Sequence, residues 1–146
     1  MCADYRKLNQ VTEKNSHPLP LIDEVLEQIS KANYFTNFDW AKGFHQFSID
    51  QESIEKTAIT THVGLFQFKT IPFGLCNAPT NFQRCIDVIL NELKNDFVSV
   101  FMNDIVGYFE DFNTHLLHLE KLFSTLAKAG LKIKPSKSEL GMKKVD

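Results

Sequence analysis

Two runs of apolar and aromatic residues dominate the pattern of the chain, and a short polar step separates them. Residues 97–101 and 105–109 are rich in Val and Phe, and Asn103 and Asp104 lie between them. Runs of this kind are typical of strands, and Asn and Asp tolerate the tight backbone of a hairpin turn. The pattern predicts a buried hairpin with a carboxylate at its turn, where a metal ion could bind. On these residues alone, an ordinary hairpin is the simpler interpretation.

A second strand with a carboxylate is predicted far upstream, at residues 34–40. Successive side chains of a strand lie on alternate faces, so that Phe38 and Trp40 share one face while Asp39 lies on the other. Asp39 and Asp104 each lie beside aromatic residues of a predicted strand, so the two carboxylates could contribute to one metal site.

Apolar residues at helical spacing predict three helices. The first covers residues 22–29 after two prolines, the second begins after Asn77 as a possible cap, and the third ends at Gly130. Gln83 is expected to face away from the apolar stripe of the second helix. The predicted buried positions of the third helix are Phe112, Leu116, Leu119, Phe123 and Leu126.

The remaining segments give weaker patterns. We expect residues 1–17 to be irregular, 44–49 to be extended, 57–69 to form a hairpin, and 131–134 to form a last short strand. His115 and His118 are three residues apart, and two His without a third ligand are more often surface side chains than a zinc site.

The order of these elements predicts an α+β fold, with an antiparallel sheet and helices on one of its faces. In that arrangement the strand carrying Asp39 can lie beside the hairpin carrying Asp104. Two carboxylates at an open sheet edge suit Mg²⁺, which prefers oxygen ligands and often shares them with substrate phosphates.

Composition adds few constraints. The 146 residues carry a net charge of −2, which by itself gives no support for a nucleic-acid partner. Seven lysines between residues 121 and 144 could nevertheless contact phosphates, although a solvated helix face is an equal alternative. Three cysteines without metal-type spacing, no signal peptide and no membrane-length apolar run indicate an intracellular protein of the cytoplasm or nucleus.

Five further segments follow one another in a distinctive order: DYRKLN at 4–9, YFTNFD at 34–39, GFHQ at 43–46, PFGLCNAP at 72–79 and FQR at 82–84. In order and spacing they resemble the reverse transcriptase of gypsy-type LTR retrotransposons, the retrovirus-related Pol polyproteins. The segment FMNDI at 101–105 stands where that family has Tyr-x-Asp-Asp-Ile. The resemblance covers nearly the whole chain.

The resemblance implies the ferredoxin-like palm of a polymerase with partial fingers and without a thumb. Residues 1–33 and 50–75 would be mainly fingers, and residues 34–49 and 76–146 mainly palm. The chain would begin inside the fingers motif and end just before the primer-gripping segment. The implied reaction is template-directed DNA synthesis on an RNA template and DNA primer from deoxynucleoside triphosphates, with Mg²⁺ or Mn²⁺.

The resemblance also implies roles for individual residues. The metal ligands would be Asp39, the backbone carbonyl of Trp40, and Asp104. The nucleotide would contact Phe44, Phe73 and Lys137, with Phe44 excluding a 2′-hydroxyl, and the template would contact Arg6 and Gly74.

One departure from the family pattern concerns the metal site. Asn103 replaces the first Asp of the hairpin pair, and an amide offers a neutral oxygen where a carboxylate offers charge. We therefore expect impaired or absent activity, to which both chain ends would contribute. The alternative is a non-catalytic remnant that binds RNA or a protein partner.

Overall fold

The computed structural model describes residues 3–17, 22–94, 96–101 and 104–143. Asn103 and the two prolines that precede the predicted helix at residues 22–29 lie outside these ranges. The helices of the described residues are α1 (Arg6–Val11), α2 (Ile22–Ser30), α3 (Ala78–Ile89) and α4 (Phe112–Lys128). The strands are β1 (Tyr34–Asp39), β2 (Ile59–Thr61), β3 (Gly64–Phe66), β4 (Val98–Phe101), β5 (Asp104–Phe109) and β6 (Glu139–Lys143).

The chain divides into two compact units. One contains residues 1–17 and 42–82, and the other contains residues 18–41 and 83–146. The assignment of fingers and palm to the predicted residue ranges stays a prediction. None of the helices in the described part of the chain combines the length and the apolar character needed to span a membrane.

The second unit is built on an antiparallel sheet with the order β4-β5-β1-β6. The predicted hairpin is confirmed as β4 and β5, which pair from Val98↔Gly107 to Phe101↔Asp104. β1 lies between β5 and β6, and its Thr36 and Phe38 are completely buried. The predicted α+β fold is therefore confirmed, with β1 as an inner strand.

Helix α4 covers the face of the sheet that carries Thr36 and Phe38. The ring of Phe123 meets that of Phe38 edge to face at 5.5 Å between centroids, and Asp111 caps the helix by accepting backbone N–H bonds from Asn113 and Thr114. The buried residues of the helix are His115, Leu119, Leu122 and Leu126.

The prediction for α4 was therefore partly wrong. Of the predicted buried positions, Phe112, Leu116 and Phe123 are 49%, 51% and 39% exposed, whereas His115 is only 2% exposed and lies in the interior. The helix carries two overlapping apolar stripes, and the sheet covers the one that includes His115. Because histidine counts as a polar residue, the stripe that contains His115 looked less apolar than the stripe of Phe112 and Leu116, and the sequence pattern therefore predicted the wrong buried face.

Helix α3 confirms the predicted apolar stripe, because Phe82, Ile86 and Leu90 are buried. The expectation that Gln83 faces away was wrong, since this side chain is completely buried. Asn77 precedes the helix, but its side chain accepts a bond from Asn15 N and donates one to Glu13 O.

The first unit confirms one predicted element and corrects two others. β2 and β3 form the expected hairpin. Residues 1–17 are not wholly irregular, because residues 6–11 include several good helix formers and form α1. Residues 44–49 are not a strand: Gly43–Gln46 is a 3₁₀ turn, and only Ser48 forms an isolated bridge, with Thr70.

The expected strand at residues 131–134 was also wrong. Ile133 makes only an isolated bridge with Trp40, and the strand that pairs with β1 on the side away from β5 is β6, which begins five residues further on. Between them lies the 3₁₀ turn Pro135–Lys137. This correction matters for the site, because the turn carries Lys137.

Candidate catalytic site

The two predicted carboxylates face each other across neighbouring strands. Asp39 is the last residue of β1, Asp104 is the first residue of β5, and the two are direct partners in the antiparallel register. Directly opposed residues of an antiparallel pair point to the same face, with Cβ atoms about 4.5–5.5 Å apart. The predicted juxtaposition of Asp39 and Asp104 is confirmed.

Burial of the neighbouring side chains keeps Asp39 on the open face of the sheet. Phe38 and Trp40 are 0% and 3% exposed, whereas the Asp39 side chain is 28% exposed. Because side chains alternate along a strand, the anchoring of the two aromatic rings in the core fixes the opposite orientation of Asp39.

A backbone carbonyl is predicted to add an oxygen to this end of the sheet. The Asp39 carbonyl accepts a hydrogen bond from Lys134 N at 2.8 Å, on the β6 side of β1. Successive carbonyls of an extended strand point to opposite sides, so we expect that of Trp40, the residue after β1, to point to the β5 side, where Asp104 lies. This end of the sheet therefore carries two carboxylates, and the Trp40 carbonyl stays a predicted third oxygen.

Lys137 brings a positive charge to the carboxylates. Its Nζ lies 2.9 Å from Asp39 Oδ2, and its side chain is 60% exposed. The hydrogen bond to Asp39 raises the pKa of Lys137, with further contributions from the Coulomb attraction of Asp39 and of Asp104. The ammonium group thus occupies an Asp39 oxygen that a metal ion would use.

These donors fit a divalent cation that shares its ligands with a substrate. Among the described residues, no cluster of three or more His, Cys, Asp or Glu side chains could enclose a metal. Mg²⁺ is commonly held by one or two carboxylates together with substrate phosphates. The arrangement suits that mode of binding, and Asn103 lies outside the described residues.

A buried polar network that the sequence did not predict supports the hairpin. Gln83 Nε2 donates to the carbonyl of Val100 at 3.3 Å and to Asp87 Oδ1 at 3.0 Å. Asp87 Oδ1 also pairs with Lys94 Nζ at 2.8 Å. The network fixes the end of β4 next to the hairpin turn. Its signal in the sequence was a lone Gln beside an otherwise apolar helical stripe.

In the first unit, the two predicted nucleotide-contacting aromatic residues lie together. The ring of Phe44 meets that of Phe73 at 5.3 Å and that of buried Phe82 at 5.2 Å, both edge to face. Phe73 is 55% exposed, whereas Phe44 is partly buried beneath it. Phe44 is thus anchored to the core by ring contacts and is only partly buried.

The predicted template residue Arg6 forms an ion pair with its neighbour. Its guanidinium donates to both carboxylate oxygens of Asp4, at 2.7 to 3.1 Å, and both side chains are largely exposed. The hydrogen bond from Arg6 lowers the pKa of Asp4 to about 2. Contact with a phosphate would therefore compete with the Asp4 carboxylate.

Asn9 holds the loop that carries Gly74. Its amide donates to the Gly74 carbonyl at 2.7 Å and accepts a bond from Cys76 N at 2.9 Å. Gly74 has a φ of +97°, a conformation that favours glycine. Asn9 had no signal in the sequence beyond its place in the DYRKLN segment.

The comparisons with known proteins agree with this geometry. A family model described as reverse transcriptase (RNA-dependent DNA polymerase) matches residues 1–146, and the chain belongs to this family. The retrovirus-related Pol polyprotein from transposon 297 of Drosophila melanogaster is 44% identical over 93% of this chain and 13% of its own length. The Pol polyprotein from transposon gypsy of the same species is 31% identical over 100% of this chain and 14% of its own length. The resemblance to gypsy-type elements is confirmed, and this chain spans a small part of these relatives.

Solved structures show the same fold. A foamy viral protease-reverse transcriptase in complex with double-stranded DNA superposes with a TM-score of 0.89 at 27% identity, over 99% of this chain and 25% of that one. A foamy viral protease-reverse transcriptase in complex with an RNA/DNA hybrid gives 0.84 at 27% identity, over 94% of this chain and 18% of that one. The fold is that of a partial polymerase palm and fingers.

The ion pair of Lys137 leads to a prediction about metal affinity. We expect Lys137→Met to bind Mn²⁺ up to roughly fivefold more tightly, the equivalent of one exposed ion pair, because no ammonium competes for Asp39. Lys137→Arg retains the charge and serves as the matched control. Electron paramagnetic resonance of free Mn²⁺ measures the affinity, and an unchanged or weaker affinity in Lys137→Met would contradict the prediction.

Proposed function

We propose that this chain is the fingers–palm part of a reverse transcriptase that copies an RNA template by extending a DNA primer. The observation that carries the proposal is the direct pairing of Asp39 with Asp104, with Lys137 beside them, in a chain of this family. The relatives solved with double-stranded DNA and with an RNA/DNA hybrid support nucleic acid as the substrate.

The proposed metal ligands are Asp39, the carbonyl of Trp40 and Asp104, with Mg²⁺ as the ion and Mn²⁺ as an alternative. Divalent cations in such sites activate the attacking hydroxyl and neutralise charge on the transferred phosphate. The protein's own contribution is to hold primer and nucleotide in line and to supply positive charge where the diphosphate leaves. Lys137 fills that role once a cation replaces it at Asp39.

The first unit supplies the proposed contacts for the nucleotide and the template. Phe44 would exclude a 2′-hydroxyl by steric contact, Phe73 would pack against the nucleotide, and Gly74 would let the template approach the backbone. Arg6 would exchange its carboxylate partner for a template phosphate.

We further propose that Asn103 severely weakens the activity. With an amide at this position the site loses one of its expected negative charges. Loss of a residue that merely orients a metal ligand typically costs about 10–100-fold, so loss of a ligand itself should cost more.

The test is primer extension on an RNA template with Mg²⁺. We expect the chain to extend the primer barely or not at all, and Asn103→Asp to raise the rate by more than roughly 100-fold. A parallel Mn²⁺ titration of both proteins should show tighter binding by Asn103→Asp. Robust extension by the unaltered chain would refute the impairment, and equal rates and equal Mn²⁺ affinities would refute the role of position 103.

A second prediction concerns the choice between deoxy- and ribonucleotides. In the Asn103→Asp protein, we expect Phe44→Val to raise ribonucleotide incorporation relative to deoxynucleotide incorporation by roughly tenfold or more, because a smaller side chain admits the 2′-hydroxyl. Phe47→Val is the matched control, since Phe47 packs edge to face on Phe82 at 5.4 Å, much as Phe44 does. An equal change of the ratio in both variants would assign the effect to lost packing.

An alternative function is RNA binding without catalysis. It is favoured by the lysines of the C-terminal part, of which residues 121, 128, 132, 134, 137 and 143 are exposed. Phosphate contacts weaken steeply with salt, with a slope of about −0.7 per contact on a single strand. Salt-dependent RNA binding together with absent extension by Asn103→Asp would favour this function over polymerisation.

A further inference from the structure

The edge strand β6 carries a bulge opposite the middle of β1. Phe35 pairs with Met142, but Asn37 pairs with Glu139, so that Leu140 and Gly141 together oppose Thr36. Gly141 has a φ of +63°, and a glycine in the left-handed conformation is the signature of one common bulge type. The bulge is thus a specific feature of the backbone at this position.

The side chain of Thr36 satisfies the backbone group that the bulge releases. Gly141 N donates to Thr36 Oγ1 at 3.2 Å, and the same oxygen lies 2.9 Å from His115 Nε2. Thr36 and His115 are 0% and 2% exposed. A backbone donor left unpaired away from water is destabilising, so this part-buried bond stabilises the bulge.

The number of available partners decides whether Thr36 Oγ1 or His115 Nε2 donates the hydrogen bond between them. If the Thr36 hydroxyl donates to His115 Nε2, the amide and the hydroxyl are both satisfied, and only Nδ1 has no partner among the described residues. The reverse direction would leave the hydroxyl proton unpaired as well. Nε2 therefore acts as acceptor, which requires a neutral ring. Burial lowers the pKa of His115 and favours the same state.

Ring packing fixes His115 in this position. Its ring contacts that of Phe109 at 4.5 Å and that of Phe112 at 5.6 Å. A Cβ at position 141 would lie 3.4 Å from His115 Cε1, an ordinary van der Waals distance, so β6 packs closely against the ring at this glycine. Strand β6, strand β1 and helix α4 meet at this one point.

The bulge determines the length of the turn that carries Lys137. The turn is anchored on β1 at both ends, by Lys134 N to Asp39 O and by the pairing of Glu139 with Asn37. Without the bulge, Asn37 would pair with residue 140, and the turn would gain one residue, about 3.3 Å of chain. A shift of this size exceeds the 2.9 Å that separates Lys137 Nζ from Asp39.

We propose that Thr36, His115 and Gly141 are positioning residues, which lock the bulge of β6 and thereby hold Lys137 at the Asp39 carboxylate. Their relevance to catalysis rests on the proposed function of Lys137, but the positioning itself is a property of this fold. It can therefore be tested without a polymerase assay.

The test compares Thr36→Val, which removes the hydroxyl, with Thr36→Ser, which keeps it. We expect acetylation of Lys137, followed by mass spectrometry, to be up to roughly fivefold faster in Thr36→Val, as for loss of one exposed ion pair. Thr36→Ser should behave like the unaltered chain. Lys132 and Lys134 are exposed residues of the same segment, and their unchanged rates would exclude general unfolding.

Gly141→Ala provides a second, independent variant on the partly exposed edge strand, and it applies even if Thr36→Val does not fold. It should release Lys137 selectively in the same way, because an alanine at a φ of +63° would strain the backbone of the bulge. An unchanged Lys137 rate in folded Thr36→Val or Gly141→Ala would overturn the proposal, as would an equal rise at Lys132 and Lys134. A faster acetylation of Lys137 alone would support the proposal, whatever the result of the primer-extension assay. Absent primer extension by Asn103→Asp would count against the proposed function only.

Discussion

The antiparallel pairing of β1 with β5 is the constraint on which the rest of the site depends. It runs without interruption from Tyr34↔Phe109 to Asp39↔Asp104. Because side chains alternate along a strand, a slip of one residue would turn Asp39 into the core and Phe38 out to solvent. The buried Phe38 and Trp40 make such a slip costly, so hydrophobic burial on one face fixes the position of a carboxylate on the other.

The charges on the open face follow from the same strand. Asp39 and Asp104 would repel each other if nothing else were near, and the ammonium group of Lys137 offsets part of that repulsion. In the proposed function, an external cation would compete with Lys137 for Asp39. An acid at position 103 would favour that cation, whereas the neutral amide of Asn103 leaves Lys137 as the stronger competitor.

Long apolar runs and ordered motifs allowed much of this to be predicted. The hairpin, the stripe of α3 and the facing carboxylates were recoverable, because each rests on several residues that report the same structure. The features that were not predicted each depend on a single polar residue or on a strand without a clear sequence pattern. Gln83 and His115 are buried through bonds to distant residues, Val100 and Thr36, that no local pattern reveals. β6 is an edge strand whose Leu140 is 59% exposed, so it lacks the alternation of a half-buried strand.

The most direct test of the central claim is a Mn²⁺ titration followed by nuclear magnetic resonance of the backbone amides. The paramagnetic ion broadens only nearby resonances, so a cation held by Asp39 and Asp104 should broaden residues 38–41 and 104–106 first. Asp39→Asn and Asp104→Asn should each abolish this pattern while the fold persists. Broadening that begins elsewhere, or that is unchanged in both variants, would contradict the account.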